Sequence, residues 1–125
     1  MIIRHLRTAA ILLTLGIILG LFVGGTQPFA VKLIPEPWDK LVHCGIFALL
    51  TCGIALASGL YGTRMLITAA TIALLIGVMD EYHQSYLPGR HPGWDDLAAD
   101  AVGILIGTAS LARERIRYLL HPDRG

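Results

Sequence analysis

The sequence predicts an all-α fold: an integral membrane four-helix bundle with four transmembrane helices and both termini cytoplasmic. Three observations carry that expectation. Hydrophobic residues make up 54% of the 125 residues and charged residues only 15%, whereas soluble domains carry about 25% charged residues. Four apolar runs fill most of the chain, so little polar surface is left for a water-facing exterior. Basic residues are split unevenly between the two sets of run ends. A chain of this length has room for one domain, so residues 1–125 are read as a single transmembrane domain.

The first run extends from Ala9 to Gly25 and carries no charge. It follows Arg4-His5-Leu6-Arg7, a combination that also opens signal peptides. No small-x-small cleavage site stands out after Val23, so the run reads as a retained membrane anchor. The second run starts after Trp38-Asp39-Lys40 and continues to about Leu60. The third spans Met65 to Met79 and ends against Asp80-Glu81. The fourth runs from Leu97 to Ala112, interrupted by Asp100. The corresponding spans, 9–25, 40–60, 65–82 and 96–112, are close to the about 20 residues that cross a hydrocarbon core. Cys44 and Cys52 share one run; eight residues of helix separate them by about 12 Å, too far for a disulfide.

Lysine and arginine set the orientation. Arg4, Arg7, Arg64, Arg113, Arg115, Arg117 and Arg124 fall on one side, and Lys32, Lys40 and Arg90 on the other. Cytoplasmic loops collect the positive charge, so the first side, with both termini, is the cytoplasmic one. Acidic residues gather opposite: Glu36, Asp39, Asp80, Glu81, Asp95, Asp96 and Asp100 lie outside, against Glu114 and Asp123 inside. Trp38, Tyr82, Tyr86 and Trp94 stand where an outer aromatic belt would lie. Gly16, Gly20 and Gly24 repeat every fourth residue on the first helix, as do Gly103 and Gly107 on the fourth. Such faces let helices approach closely in lipid. Packing within the bundle is the expected use, and a homodimer through these faces the alternative.

Two segments hold the residues able to carry chemistry: Asp39-Lys40-Leu41-Val42-His43, and Asp80-Glu81-Tyr82-His83-Gln84 through Pro88-Gly89-Arg90 to Asp95-Asp96 and Asp100. Asp39 and His43 are four apart on a helix and share a face, as do Asp80 with Gln84 and Asp96 with Asp100. His43 and Asp100 would then lie one turn, about 6 Å, below Asp39 and Asp96, with Asp80 at a comparable depth. Ionisable groups in a span are costly and turn toward a protein interior or a wet cavity, so three helices are expected to bring these groups together. Pro88-Gly89 suits a turn that lets Arg90 fold back toward carboxylates. Against this stands a plainer role: Asp39 and Asp95 or Asp96 are placed to cap helices, and Lys40, Glu36 and Asp95 to anchor at the interface. His43, His83 and the carboxylates are of metal-ligating type. The spacing HExxH and paired histidines are both missing, so no metal site is expected.

These residues also resemble a family pattern. Asp39-Lys40-x-x-His43, then Asp80-Glu81-x-His83-Gln84 with Pro88-Gly89-Arg90, then Asp96-x-x-Ala99-Asp100-x-x-Gly103, are similar to the VanZ-like family over residues 37–108. The resemblance implies a small multi-span protein of the bacterial inner (cytoplasmic) membrane. The family's founding member is associated with resistance to the glycopeptide teicoplanin. Two departures stand out: His91-Pro92-Gly93-Trp94 replaces the small hydroxyl residue that many members carry before the following Asp, and position 100 is Asp where Asn is also frequent.

Two function classes follow. In the first, an outward-facing polar pocket binds an amphiphile, either a lipid-linked cell-wall component or a glycopeptide, through Asp39, Lys40, Gln84, Arg90 and Asp96. In the second, His43, Asp80, Glu81 and Asp100 perform acid–base chemistry on an envelope lipid. The sequence holds no nucleotide loop, no nucleophile-with-base motif and no multi-cysteine cluster, so no cofactor and no nucleic-acid partner are expected. Binding is the favoured reading.

Overall fold

Each apolar run forms the body of one helix. The structure, a computed structural model, describes residues 1–30 and 33–120; Lys32, Asp123 and Arg124 of the charge count lie outside the described residues. The helices are α1 (Ile2–Phe22), α2 (Trp38–Ser58), α3 (Gly62–Gln84) and α4 (Trp94–Leu120). Single turns of 3-10 helix at Gly24–Thr26 and Pro28–Ala30 follow α1. Among the described residues there is no strand.

The helices run past the apolar stretches that nucleate them. The first starts at Ile2 rather than Ala9 because its arginines are accommodated: Arg7 Nε donates to the Ala57 carbonyl at 3.0 Å. Its guanidinium lies against Gly59, whose φ of +67° ends α2 in the left-handed conformation. A cation at the C-terminal end of a helix satisfies carbonyls and complements the helix dipole. Arg115 of α4 packs against Gly62 from the other side of the α2–α3 connection, with its Nη1 3.5 Å from Thr63 Oγ1.

The interior is small and polar while the exterior is large and apolar. Gly53, Gly77, Gly103 and Gly107 are buried, together with Ala55, Ala69, Ala73, Thr51, Asp80 and Asp100 around Phe47 and Leu50. Leu12, Leu15, Leu19, Leu49, Leu56, Leu75 and Leu105 point outward and are each more than half exposed. Lipid-facing leucine around small interior residues is the arrangement of a bundle whose solvent is hydrocarbon. Three helical segments, Ile2–Thr26, Trp38–Ser58 and Gly62–Gln84, are long and apolar enough to cross a membrane. The expected fourth span does not meet that measure. In α4, Asp95, Asp96 and Asp100 crowd one end and Arg113, Glu114 and Arg115 the other, which leaves too short an uncharged stretch.

The glycine faces separate in their use. A Cβ at Gly103 would collide with the Cys44 backbone, and one at Gly107 would stand 2.8 Å from the Ala48 carbonyl oxygen, so α2 and α4 meet backbone to backbone. Gly16, Gly20 and Gly24 have open space where a Cβ would project. The α1 glycines are therefore not a packing seam within the bundle, and Gly20 and Gly24 instead border a cavity. Cys44 and Cys52 are both free thiols.

Candidate functional site

The N-terminal ends of α2 and α4 and the C-terminal end of α3 meet at one end of the bundle, and their charged residues form two tiers. The outer tier is built on Lys40. Its Nζ donates to Asp39 Oδ2 at 2.9 Å and to Asp96 Oδ1, and lies 3.1 Å from Asp95 Oδ2. One ammonium has three protons to donate, and here each faces a carboxylate. Asp39, Asp95 and Asp96 sit in the first turns of their helices, where the dipole favours negative charge. The expected side-chain cap of α2 by Asp39 is not what is found: the N-cap of α2 is Pro37, without a side-chain bond, and Asp39 Oδ1 accepts from the Lys40 amide at 2.9 Å. The Lys40 ammonium holds the Asp95 carboxyl below the usual carboxylate range.

One turn deeper lies the inner tier. His43 Nδ1 and Asp100 Oδ1 are 2.8 Å apart, linking α2 to α4. Asp100 is fully buried and leans on α3 at Gly77, where a Cβ would come within 3.2 Å of Asp100 Oδ2 and of the Phe47 ring. Asp80, 1% exposed, accepts from Gln84 Nε2 at 2.9 Å. Glu81 Oε2 accepts from the Gly93 amide at 3.1 Å, tying the α3–α4 loop to α3. His43, Glu81 and Asp100 each present a ligand atom within 4.8 Å of the other two. Among the described residues, Asp80 Oδ1, Glu81 Oε1 and Asp100 Oδ2 have no hydrogen-bond partner. A buried polar atom without a partner is costly, and three in one tier set this region apart from ordinary helix packing.

Beside both tiers opens a cavity of about 920 Å³. Lys40, Asp39, Asp96, His43, Gln84 and Arg90 line its polar wall, and Val42, Ile46, Phe29 and Leu33 its apolar wall; Gly20, Gly24 and Gly25 at the end of α1 leave it room. The turn at Leu87–Arg90 is closed by Arg90 N to Leu87 O at 3.2 Å. Gly89 takes a φ of +76° at its third position, as a Pro-Gly type II turn requires. Arg90 does fold back, but Nη2 donates to the Gly25 carbonyl at 3.1 Å, and among the described residues it makes no ion pair.

The sequence places His43, Asp80 and Asp100 at one depth; the structure brings His43 and Asp100 into contact, while Asp80 on α3 bonds Gln84. Asp39, Lys40 and Asp96 join the outer tier. Gln84 reaches Asp80, and Arg90 reaches α1. The sequence pointed to none of Gly77, Gly93 and Phe29: a glycine's role as a seat depends on its partner, and the 28–37 segment has no periodicity to reveal a wall. His83, a ligating type by chemistry, stacks on Phe22 with ring centroids 5.6 Å apart and lies outside the His43–Glu81–Asp100 group.

The family model described as VanZ/LLP1 matches residues 2–113. No curated protein and no solved structure matches the chain.

Proposed function

The chain belongs to the VanZ/LLP1 family, and from that premise we propose that it is a multi-pass protein of the bacterial cytoplasmic membrane whose outward-facing pocket binds an amphiphilic envelope component. The ligand is a lipid-linked cell-wall component or a glycopeptide, in a role like teicoplanin resistance. In this reading α4 completes a four-span bundle with both termini cytoplasmic. Asp96 and Arg113 bracket a rise of about 26 Å, and its one intervening charge, Asp100, turns fully inward.

The observation that carries the proposal is the cavity's two-sided wall. A volume of about 920 Å³ falls in the range of small-molecule sites, about 300–1,000 Å³. Arg90, whose Nε has no partner among the described residues, suits phosphate or carboxylate, Asp39 and Asp96, held by Lys40, suit sugar hydroxyls, and Phe29, Leu33 and Ile46 suit an acyl or prenyl chain. Mass spectrometry of lipid co-purified with detergent-solubilised protein tests it. Wild type is expected to retain a defined lipid, and Gly24→Leu, which fills the space beside α1, to lose it while staying monodisperse. Equal retention by both proteins would refute the pocket.

A second reading is acid–base catalysis on an envelope lipid, favoured by the buried His43–Asp100 contact at 2.8 Å. In it, His43 or Glu81 acts as base, with Asp80 and Asp100 setting its charge state. Glu81→Gln and His43→Gln keep polarity but remove titration. Binding predicts graded loss of lipid retention or of a glycopeptide-susceptibility phenotype, with Arg90→Ala the most damaging. Catalysis predicts complete loss of the phenotype with lipid retention unchanged.

A further inference from the structure

We propose that His43, Glu81 and Asp100 form a site for a transition-metal dication of the zinc class at the floor of the bundle's polar end. Three helices contribute one side chain each, and their ligand atoms all lie within 4.8 Å of one another. A tetrahedral zinc with bonds of about 2.0–2.1 Å places its ligands about 3.3 Å apart, so small rotations of the Glu81 and His43 side chains close the shell.

The second, independent observation is the set of unpartnered oxygens. Asp100 is fully buried with Oδ2 unpartnered among the described residues, and so is Oε1 of Glu81. Asp80, also buried and with Oδ1 unpartnered, adds a third carboxylate from the same turn of α3 as Glu81. One imidazole does not balance three carboxylates. Lys40 is committed to Asp39, Asp95 and Asp96, and Arg90 reaches the Gly25 carbonyl through Nη2 and makes no ion pair among the described residues. Buried charge is retained when it is paired or when it coordinates a metal. A dication meets that need, replacing the proton that His43 and Asp100 share.

The donor set decides the class. An imidazole nitrogen with two carboxylates suits zinc and its neighbours, whereas magnesium and calcium prefer all-oxygen shells. Three protein ligands leave a fourth position open. His43 lines the cavity, so that position borders the proposed ligand compartment. The inference does not rest on the pocket's occupant, because its test contains no lipid or glycopeptide.

The test is calorimetric titration of zinc chloride into chelator-stripped protein in detergent, with cobalt substitution as a spectroscopic second measurement. Wild type is expected to bind one zinc per chain, not displaced by millimolar magnesium, and to give intense visible bands with cobalt. Glu81→Gln and Asp100→Asn should each weaken zinc by about tenfold or more, while Asp39→Asn and Asp95→Asn, in the outer tier, should leave it unchanged. Should Asp100→Asn fail to fold, the cobalt bands of wild type and their loss in Glu81→Gln decide the matter. No saturable zinc binding by wild type, cobalt bound without such bands, or equal weakening by inner and outer variants would each overturn the site.

Discussion

Replacing Gly103 by alanine tests whether the α2–α4 contact sets the geometry of the inner tier. An ideal Cβ there would lie 2.9 Å from the Cys44 carbonyl carbon and 3.0 Å from its Cα. Both atoms are backbone, and the Cys44 carbonyl oxygen is nearer still, so no side chain can swing aside and the helices must part by about 1 Å or more to restore van der Waals contact. Overpacking of this kind costs about 1–3 kcal/mol. Alanine at Gly16, where a Cβ meets nothing within 4 Å, is the control, since it carries the same gain in helix propensity, about 1 kcal/mol, without the collision. At about 4 °C per kcal/mol, Gly103→Ala should melt about 4–12 °C below Gly16→Ala in detergent. Gly103 lies three residues after Asp100 and touches the residue after His43, so the separation is transmitted to the site. The pair His43→Cys with Asp100→Cys, in a background lacking Cys44 and Cys52, should crosslink more slowly with short reagents when Gly103→Ala is added. Equal melting of the two alanine variants with unchanged crosslinking would refute the reasoning.

Three further outcomes are expected. Reporter fusions after Leu60 should read cytoplasmic and a fusion after Gly89 external, and a cytoplasmic signal at Gly89 would reverse the orientation. Lys40→Met leaves Asp39, Asp95 and Asp96 without their shared cation and should lower stability at neutral pH by the modest amount usual for partly exposed ion pairs. Because Lys40 depresses the folded-state pKa of Asp95 below its ordinary 3.8, the share that comes from Asp95 is complete above pH 3.8 and is lost as pH falls through the lower folded value. Melting curves of wild type and Lys40→Met should therefore converge in acid, and a gap that persists at pH 2 would count against the ion pair. Gly77→Ala would set a Cβ 3.2 Å from Asp100 Oδ2 and from Phe47, and should weaken zinc binding while leaving α3 helical by circular dichroism.

The four helices were legible in the sequence because each is nucleated by a run of uncharged residues, and run length is a property of the chain alone. Their ends were not: α1 extends back to Ile2, past Arg7, whose partner at the end of α2 is fifty positions away. Depth was legible in the same way: counting turns from Asp39 and from Asp96 puts His43 and Asp100 level. Partner choice was not. Arg90 had several carboxylates within reach of its loop and took the Gly25 carbonyl instead, while Lys40 collected three acids that read separately as caps and anchors. Glycines every fourth residue carry the same signal on α1 and α4. Only the neighbour distinguishes a seam, at Gly103 and Gly107, from the wall of a cavity at Gly20 and Gly24.

The two tiers differ in what stability alone explains. In the outer tier one ammonium meets three carboxylates at the first turns of two helices, and its contacts with Asp95 and Asp96 help to hold α2 to α4, so structure accounts for it. The inner tier offers no such account. His43 with Asp100 would already join the helices; adding Glu81 and Asp80 at the same depth increases buried negative charge and leaves three oxygens unpartnered among the described residues. A bundle selected only for packing gains nothing from these carboxylates, since apolar residues of similar volume in place of buried ions are often neutral or stabilising. They lie beside a cavity lined by both charged and apolar side chains, which is where the proposed binding role would use them. The outer tier thus serves as the clamp that keeps two helix ends together while the inner tier holds charge at a cost the fold itself does not require.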